Sequence, residues 1–459
     1  SAPLAVVPMR YSMIIPKHIW EPMLKEKGIL DQVLAHDEIA LAQMAEWPND
    51  PLVGSGMFKL KTWVPGEYTE LEAFDKWWGG RPYLDRLIFK EFASADSALM
   101  ALRSGEIDTL GYDTLVPPTA IKDIEAQPGM SIIDCKSLAD HALSFNVWSG
   151  WPEQHPEAAT LQDINVRKAF AHIIDKQTIA DVLYLGQAIP IYSYIPQTLT
   201  YWYNPDVPKY EYDPAKAAEI LDNAGYKPGS DGIRTSPKGL KLSYELVLDS
   251  AQPIHVRMAE LIRDNAREVG IEIAVRPVDY ATLYDMLYYS EGPKYDLAIT
   301  NQMEASPDPH WVSSFFYRFK PGEWNIHGYT NPEYDELYEA QANNPDSASR
   351  KQEIFRMQEI VAEDLPAIPI VSPSILRPYR SDKWEDLLPE VGGVFNWIMP
   401  QWTAQAVHLK AVPTTTAPAT VETVTTMLPA TTTAAAPTGW TPEMTGGVIA
   451  VLVVIVLLS

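Results

Sequence analysis

The chain has 459 residues, enough for two or three domains, and its hydrophobic fraction of 46% can supply large cores. Its formal net charge of −24 repels phosphate backbones and anionic headgroups, so we expect no nucleic-acid partner. Cys135 is the single cysteine, which excludes an intrachain disulfide. It lies in residues 131–135, which we expect to form a strand without a reactive thiol.

Helix and strand signals alternate along the body of the chain. Asp213 and Pro214 are typical of a helix start, and Gly225 is typical of its end, so a helix is predicted over 215–224. Further signals predict strands at 242–248, 271–275, 295–299 and 367–371 and helices at 255–269 and 351–364. This order predicts an α/β body with mixed sheets.

The composition changes after Lys410. Residues 411–443 are rich in threonine, proline and alanine, cannot bury enough surface to fold, and are predicted to form a disordered stalk. Residues 444–459 carry no charge and are predicted to be a C-terminal membrane helix. A bilayer span needs about 20 residues, so we expect this anchor to be truncated. The chain also begins at Ser1 without a visible signal peptide, which suggests a processed product.

Enzyme motifs are absent from the sequence. It contains no G-x-S-x-G elbow, no P-loop and no H-E-x-x-H, and its nine histidines show no metal-ligand spacing. We therefore predict that the protein is not an enzyme, with no catalytic residue, no metal site and no cofactor. A glycosidase or peptidase at the cell surface is the alternative from another class, because carboxylates are abundant.

Several motifs follow one another along the chain between about residues 10 and 405. They read PLVGSGMFKL at 51–60, WWGGRPYLD at 77–85, ALRSGEID at 101–108, DINVRKAFAHIIDK at 163–176, YDPAKA at 212–217 and YTNPEYD at 329–335. Together they resemble the dipeptide/oligopeptide family, family 5, of extracellular solute-binding proteins, the capture subunits of ABC importers. Within these motifs, Gly105 should end a helix and Arg167 should bond a nearby carboxylate.

The resemblance implies a two-lobed clamshell of the type II periplasmic-binding-protein class. Lobe I would hold residues 1–143 and 376–410, and lobe II would hold residues 144–375. The crossings between the lobes are expected at 141–147 and 368–373. The family's chains carry more residues before the segment that 9–24 matches, so lobe I is expected to be incomplete.

The resemblance also implies a binding cleft between the lobes. In peptide-binding members an aspartate four residues before a proline pairs with the peptide's amino terminus. Here Asp308-Pro309 matches, the aligned position is Ala305, and Glu304 lies beside it. We expect Glu304 or Asp308 to contact the ligand. Asparagine and tryptophan side chains complete the predicted site: Asn146, Trp148, Trp311, Trp324 and Trp397.

The predicted function is the capture of oligopeptides by a membrane-tethered protein on the extracellular face, with delivery to an ABC permease. An oligosaccharide is the alternative ligand, because aromatic faces stack on sugar rings and the stalk with its anchor resembles archaeal members of the family. Other solutes, including metal complexes, and a structural or sensory role for the same fold are further alternatives.

Overall fold

The computed structural model describes residues 17–35, 54–111, 116–135, 137–138, 140–153, 155–288, 291–302, 308–387, 408–409 and 454–458. The strands in chain order are β1 Phe58–Val64, β2 Tyr68–Ala73, β3 Arg86–Lys90, β4 Thr109–Leu110, β5 Met130–Cys135, β6 Asp140–Phe145, β7 Ala188–Pro190, β8 Lys227–Pro228, β9 Arg234–Thr235, β10 Ser243–Asp249, β11 Glu272–Val278, β12 Leu297–Gln302, β13 Ala367–Pro373, β14 Ile375–Arg380, β15 Trp384–Glu385, β16 His408–Leu409 and β17 Val454–Leu458.

The α-helices lie between the strands along the described residues. They are α1 Lys17–Glu26, α2 Leu30–Leu34, α3 Ala95–Ser104, α4 Ile121–Glu125, α5 Ile164–Ile173, α6 Lys176–Thr178, α7 Pro214–Asn223, α8 Pro253–Glu268, α9 Tyr280–Tyr288, α10 His310–Ser313, α11 Pro332–Asn343 and α12 Ser347–Asp364. Short 3₁₀ turns lie at Pro118–Ala120, Trp151–Glu153, Pro156–Gln162 and Ser314–Phe316, and a π turn lies at Ile179–Leu183.

Two large sheets form the framework. The first has the order β1-β2-β3-β17-β4-β14-β5, and the second has the order β11-β10-β12-β6-β13-β7. In the second sheet β10 runs parallel to β11 and β12, whereas β6 is antiparallel to β12 and β13. The predicted α/β class with mixed sheets is therefore confirmed.

The second sheet has a hydrophobic core on each face. On one face, α5, α7 and α8 pack on a cluster that includes Leu143, Phe145 and Leu246, all fully buried. On the other face, α11 and α12 cover a cluster around Ala142, and α9 covers Val247 and Ala298. Successive strand residues point to opposite faces, which explains why neighbours such as Ala142 and Leu143 belong to different cores.

The chain passes between the two sheets twice. The first passage, residues 136–139, links β5 to β6, and the second is a single residue, Ser374, between β13 and β14. Ser374 donates its backbone N–H to the Gln187 carbonyl at 2.8 Å, which fastens the second passage to the start of β7. The crossings expected at 141–147 and 368–373 instead lie mostly within β6 and β13 of the second sheet, and the lobe limits 143/144 and 375/376 stay a prediction.

Local signals in the sequence gave accurate helix ends. The Asp213 carboxylate accepts the Lys216 N–H at 2.8 Å and caps α7, as predicted. Gly105 ends α3 with a φ of 79°, a left-handed conformation that favours glycine. The strand predicted at 295–299 instead begins at Leu297, because the Tyr295 and Asp296 carbonyls accept hydrogen bonds from Asn146.

The prediction that Arg167 bonds a nearby carboxylate is wrong. Its Nε donates to the Asp364 main-chain carbonyl at 2.9 Å and its Nη1 donates to the Leu161 carbonyl at 2.5 Å, so both acceptors are backbone oxygens. Asp364 is the last residue of α12, where carbonyls have no partner within the helix. The Asp364 carboxylate is already bonded to Tyr329 and Asn331.

The predicted C-terminal membrane helix is described only at residues 454–458, and there the structure has a strand. This strand, β17, pairs with β3 and with β4 in the first sheet. Its valine and isoleucine residues are of types enriched in strands. Among the described residues no helix has the length and apolar character that a membrane span requires. The predicted stalk at 411–443 lies outside the described residues.

Candidate functional site

The ends of several strands of the second sheet lie together at one end of the sheet, next to both passages. The parallel strands β10, β11 and β12 end there, at Asp249, Val278 and Gln302. Antiparallel pairing places the start of β6, Asp140, opposite Gln302, and β13 ends at the same edge with Pro373. We call it the passage edge. In open α/β sheets ligands bind outside the carboxyl ends of the strands, so this edge is the candidate site.

Asp140 is a buried carboxyl group at the passage edge. Only 3% of its surface is exposed, and its Oδ2 makes no hydrogen bond to any described residue. Burial raises the pKa of this carboxyl well above its usual range. A protonated carboxyl group can donate a hydrogen bond as well as accept one. The sequence carries no motif that identifies Asp140, and only its burial in the fold singles it out.

Two histidines meet beside Asp140 on the opposite face of β6. His255 Nε2 and His141 Nδ1 are 3.0 Å apart, and the His141 ring lies 5.9 Å from the Tyr184 ring. His255 sits in the first turn of α8 and is 3% exposed. Burial, together with the neighbouring His141, lowers the pKa of His255 to about 3. His255 is therefore a neutral imidazole at physiological pH.

Asp308 is held by an arginine rather than open to solvent. Its Oδ2 and Oδ1 accept from the Arg350 Nη1 and Nη2 at 2.6 and 2.7 Å, and Oδ1 also accepts the His310 N–H at 2.9 Å. Arg350 is 3% exposed and also donates to Gln341. This bidentate pair fixes Asp308 to helix α12. Glu304 lies in that segment, outside the described residues.

The structure brings two of the predicted tryptophans together. The Trp311 and Trp324 rings are 5.1 Å apart and meet edge to face, and Phe315 contacts both. Trp311 is half-buried in α10, shortly after Asp308, whereas Trp324 is 39% exposed. Trp397, the remaining predicted tryptophan on the C-terminal side, lies outside the described residues.

Asn146 and Trp148 lie at the other end of β6. They are six or more residues beyond Asp140, about 20 Å along an extended strand. Asn146 is 1% exposed; its Nδ2 donates to the Pro293 and Tyr295 carbonyls at 2.9 Å. The structure thus separates these two predicted residues from the passage edge.

Trp148 occupies a tight slot in that distant region. Its side chain lies so close to Gly292 and Gly328 that a Cβ atom at either glycine would overlap it. Both glycines also have positive φ angles, 112° and 65°. The Asn146 Oδ1 accepts the Trp148 N–H at 3.1 Å. These contacts of Trp148 are all with residues of the protein.

Comparison with known proteins gives the class of the fold. The structure of the oligopeptide-binding protein AppA from Bacillus subtilis, solved with a nonapeptide, matches with a TM-score of 0.67 at 23% identity, over 87% of this chain and 72% of that one. A Thermotoga maritima oligopeptide ABC transporter protein, a periplasmic oligopeptide-binding protein solved with mannohexaose, matches with a TM-score of 0.64 at 20% identity, over 86% and 74%. The fold is that of the periplasmic binding proteins.

The sequence defines the family. The model of the bacterial extracellular solute-binding proteins, family 5 Middle, matches residues 11–324. AppA is 29% identical over 358 residues, which is 77% of this chain and 60% of AppA. A putative ABC transporter peptide-binding protein of Brucella abortus is 32% identical over 280 residues, 60% of this chain and 47% of its own length. The chain belongs to this family and spans about half to three fifths of these curated relatives.

Proposed function

We propose that the protein is the solute-binding component of an ABC importer and captures oligopeptides at the passage edge. The observation that carries the proposal is the pair of passages, 136–139 and Ser374, which join the two sheets at one edge. Two short connections of this kind let two lobes rotate about a hinge and close on a ligand. Relatives described as oligopeptide-binding support the choice of ligand.

In the proposed site, the segment after β12 supplies the anchor for the peptide's amino terminus. Glu304 is the proposed acceptor, because it stands next to the position that carries an aspartate in peptide-binding members. The Arg350 pair leaves Asp308 in a supporting role, in which it holds the end of this segment against α12. Trp311 follows directly and offers an apolar face to a peptide side chain.

Replacement of Glu304 by glutamine is expected to weaken a free nonapeptide about tenfold or more, because a charge-assisted hydrogen bond to the ammonium group is lost. Acetylation of the peptide's amino terminus should weaken binding to the wild type by a similar factor. It should have little further effect on Glu304→Gln, since both changes remove the same interaction. Calorimetric titration at low salt measures all four affinities.

The matched control for this experiment is Glu291→Gln. Glu291 is exposed and lies before β12, at the end of the sheet that is remote from the passage edge. Its replacement should leave nonapeptide affinity unchanged. If acetylation of the peptide lowers the affinities of the wild type and of Glu304→Gln by the same factor, the proposed anchor is contradicted. This holds whatever the absolute affinity of the wild type is.

An oligosaccharide is the second candidate ligand. The paired rings of Trp311 and Trp324 favour it, since aromatic faces also stack on sugars. The Thermotoga maritima relative solved with mannohexaose supports it as well. Titration with mannohexaose alongside the nonapeptide distinguishes the two ligands. A higher affinity for mannohexaose would replace the oligopeptide assignment.

We also propose that the protein delivers its ligand to a permease while held at the extracellular face of a membrane. On the basis of their composition, residues 411–443 would act as an extended spacer and residues 444–459 as the anchor. The anchor would require residues 454–458 to leave the first sheet, where they pair with β3 and β4 as β17. The full chain is expected to float with neutral phosphatidylcholine vesicles in a density gradient, and a chain ending at Lys410 is expected to remain at the bottom. Identical sedimentation of the two would contradict the tether and favour β17 as a strand of the first sheet.

A further inference from the structure

His310 belongs to a chain of hydrogen-bonded side chains beside the candidate site. Its Nδ1 is 2.6 Å from Gln341 Nε2, and its Nε2 is 3.0 Å from the Tyr338 hydroxyl oxygen. Gln341 in turn contacts Arg350, which holds Asp308. Three of these five residues, Tyr338, Gln341 and Arg350, are more than nine-tenths buried, so little water reaches the bonds between them. We call the five residues the polar chain.

The polar chain determines which nitrogen of His310 carries a proton. Arg350 has donor groups only, and its Nε and Nη2 donate to Gln341 Oε1 at 3.1 and 2.9 Å. The Gln341 amide must therefore present its NH₂ group to His310, and the same group donates to the Tyr338 main-chain carbonyl at 3.0 Å. It follows that His310 Nδ1 accepts a hydrogen bond and carries no proton. A neutral imidazole holds its proton on the other nitrogen, so Nε2 donates to the Tyr338 hydroxyl.

A second proton on His310 would break this arrangement, because an Nδ1–H group would face the NH₂ group of Gln341. The surrounding groups agree with a neutral ring. Burial lowers the pKa of His310, Asp308 on the same segment raises it, and Arg350 on α12 lowers it again. From α11 the ring meets the uncharged side chains of Gln341 and Tyr338, and the Tyr338 ring stacks on it at 4.6 Å between centroids.

The contacts of His310 also fix the neighbouring Trp311. Both residues belong to α10, a single turn that is too short to be stable as an isolated helix. The orientation of α10 therefore depends on its contacts, and the polar chain ties its first residue to α11 and α12. Trp311 projects about 100° around the helix axis from His310, so any rotation of α10 moves its ring. In the described part of the chain no group accepts a hydrogen bond from Trp311 Nε1.

We propose that His310 is a positioning residue of the solute site. The polar chain holds it as a neutral imidazole with the proton on Nε2, and this form places the ring of Trp311 where a ligand contacts it. The contact between Trp311 and a ligand rests on the proposed function, whereas the tautomer of His310 and the place of the Trp311 ring do not. The solute should therefore bind less tightly whenever His310 Nδ1 becomes protonated.

The wild-type protein tests the tautomer directly. In the full chain labelled with nitrogen-15 histidine, NMR distinguishes a protonated ring nitrogen from an unprotonated one by its chemical shift. The signals of His310 are those that disappear in His310→Phe. At neutral pH we expect an unprotonated Nδ1 and a protonated Nε2. A proton on Nδ1, in the other tautomer or in an imidazolium ring, overturns the proposal.

Gln341→Glu reverses the group that faces His310 and keeps the size of the side chain. The carboxylate can accept from both Arg350 and His310, so it is expected to draw a proton onto Nδ1. The nonapeptide should then bind about fivefold or more weakly. In protein labelled with fluorotryptophan, the fluorine NMR signal of Trp311 should also shift. That signal is identified as the one missing from Trp311→Phe.

Gln358→Glu is the matched control. Gln358 lies on α12 and is fully buried like Gln341, but its amide oxygen accepts from Ser193 and Asn204 and has no contact with His310. This variant should keep the wild-type tautomer of His310 and the wild-type signal of Trp311. Tyr338→Phe is a second, milder test, because it removes only the acceptor of the Nε2 proton. It should shift the Trp311 signal even if Gln341→Glu does not fold.

The outcomes separate this proposal from the proposed function. Unchanged Trp311 signals in Gln341→Glu and Tyr338→Phe overturn the positioning role of His310. A shifted signal with unchanged nonapeptide affinity, in a protein that binds the nonapeptide, overturns it as well, because the contacts of His310 then serve the fold alone. If the wild type binds no nonapeptide, the proposed function fails. The tautomer and the Trp311 signal then still support or overturn the effect of the polar chain on Trp311.

Discussion

Arg350→Ala is expected to lower the free energy of unfolding by about 3–5 kcal/mol, because it leaves the partly buried Asp308 carboxylate without its partner. The Arg350 side chain is 3% exposed and that of Asp308 is 19% exposed, so water cannot replace the lost bonds fully. Gln341 loses its contacts with the guanidinium group as well. Urea denaturation at pH 7.5, followed by tryptophan fluorescence, measures the change.

The control lies on the same helix. Arg356 forms ion pairs with Glu333, Glu359 and Glu363, but its side chain is 39% exposed. Arg356→Ala should therefore cost about 1 kcal/mol or less. The Asp308→Ala/Arg350→Ala double variant should be more stable than the sum of the single effects predicts, since neither charge is then left alone. Equal losses from Arg350→Ala and Arg356→Ala would contradict the structural role assigned to Asp308.

Acid is expected to destabilise the protein in part through His255. The pKa of His255 is about 3 in the folded protein and 6.5 for an unperturbed histidine, so between these values the unfolded chain binds the extra proton. The stability that depends on a neutral His255 is therefore complete above pH 6.5. It is lost as the pH falls towards 3, because folding then excludes a proton that the unfolded chain binds. A single group of this kind changes the free energy of unfolding by about 1.4 kcal/mol per pH unit.

His255→Gln should flatten this dependence. Between pH 6.5 and 4.5 the wild type is expected to lose about 2–3 kcal/mol more than the variant. Burial also lowers the pKa of His327 to about 3, and it raises that of Asp140, which acts in the opposite direction. Both groups are present in the two proteins, so the difference between their curves reports on His255 and its hydrogen-bonded neighbour His141.

Ile262→Val is the control for the pH experiment. Ile262 is fully buried on the same helix, α8, and its replacement removes one methyl group without a titrating group. The stability of this variant should be lower by about 1 kcal/mol at every pH, with the slope of the wild type. If the His255→Gln curve ran parallel to the wild-type curve as well, His255 would not be the neutral buried group described here.

The fold was predictable from the sequence because its signals are local. Caps such as Asp213 and Gly105 depend on neighbouring backbone groups only, and the ordered motifs indicated the family. The partner of Arg167 was not predictable, since Asp364 lies 197 residues away and uses its carbonyl rather than its carboxylate. A single sequence shows neither which distant residue will be the partner nor which of its atoms will accept the hydrogen bond.

The candidate site was less predictable than the fold. Asp308 was recognisable from its motif, but no local signal places Arg350, 42 residues further along the chain, beside its carboxylate. Asn146 and Trp148 follow the crossing in the sequence, yet the full length of β6 separates them from the passage edge. Asp140 and His255 were missed, because burial and a shared hydrogen bond distinguish them, and neither leaves a trace in a single sequence.

The proposed function requires that the protein binds an oligopeptide and does not alter it. Native mass spectrometry of the full chain with a nonapeptide measures both parts directly. We expect a one-to-one complex that carries the intact peptide mass, and release of the unchanged peptide after denaturation. Shortened peptide, as a cell-surface peptidase would produce, or no complex at millimolar peptide would contradict it.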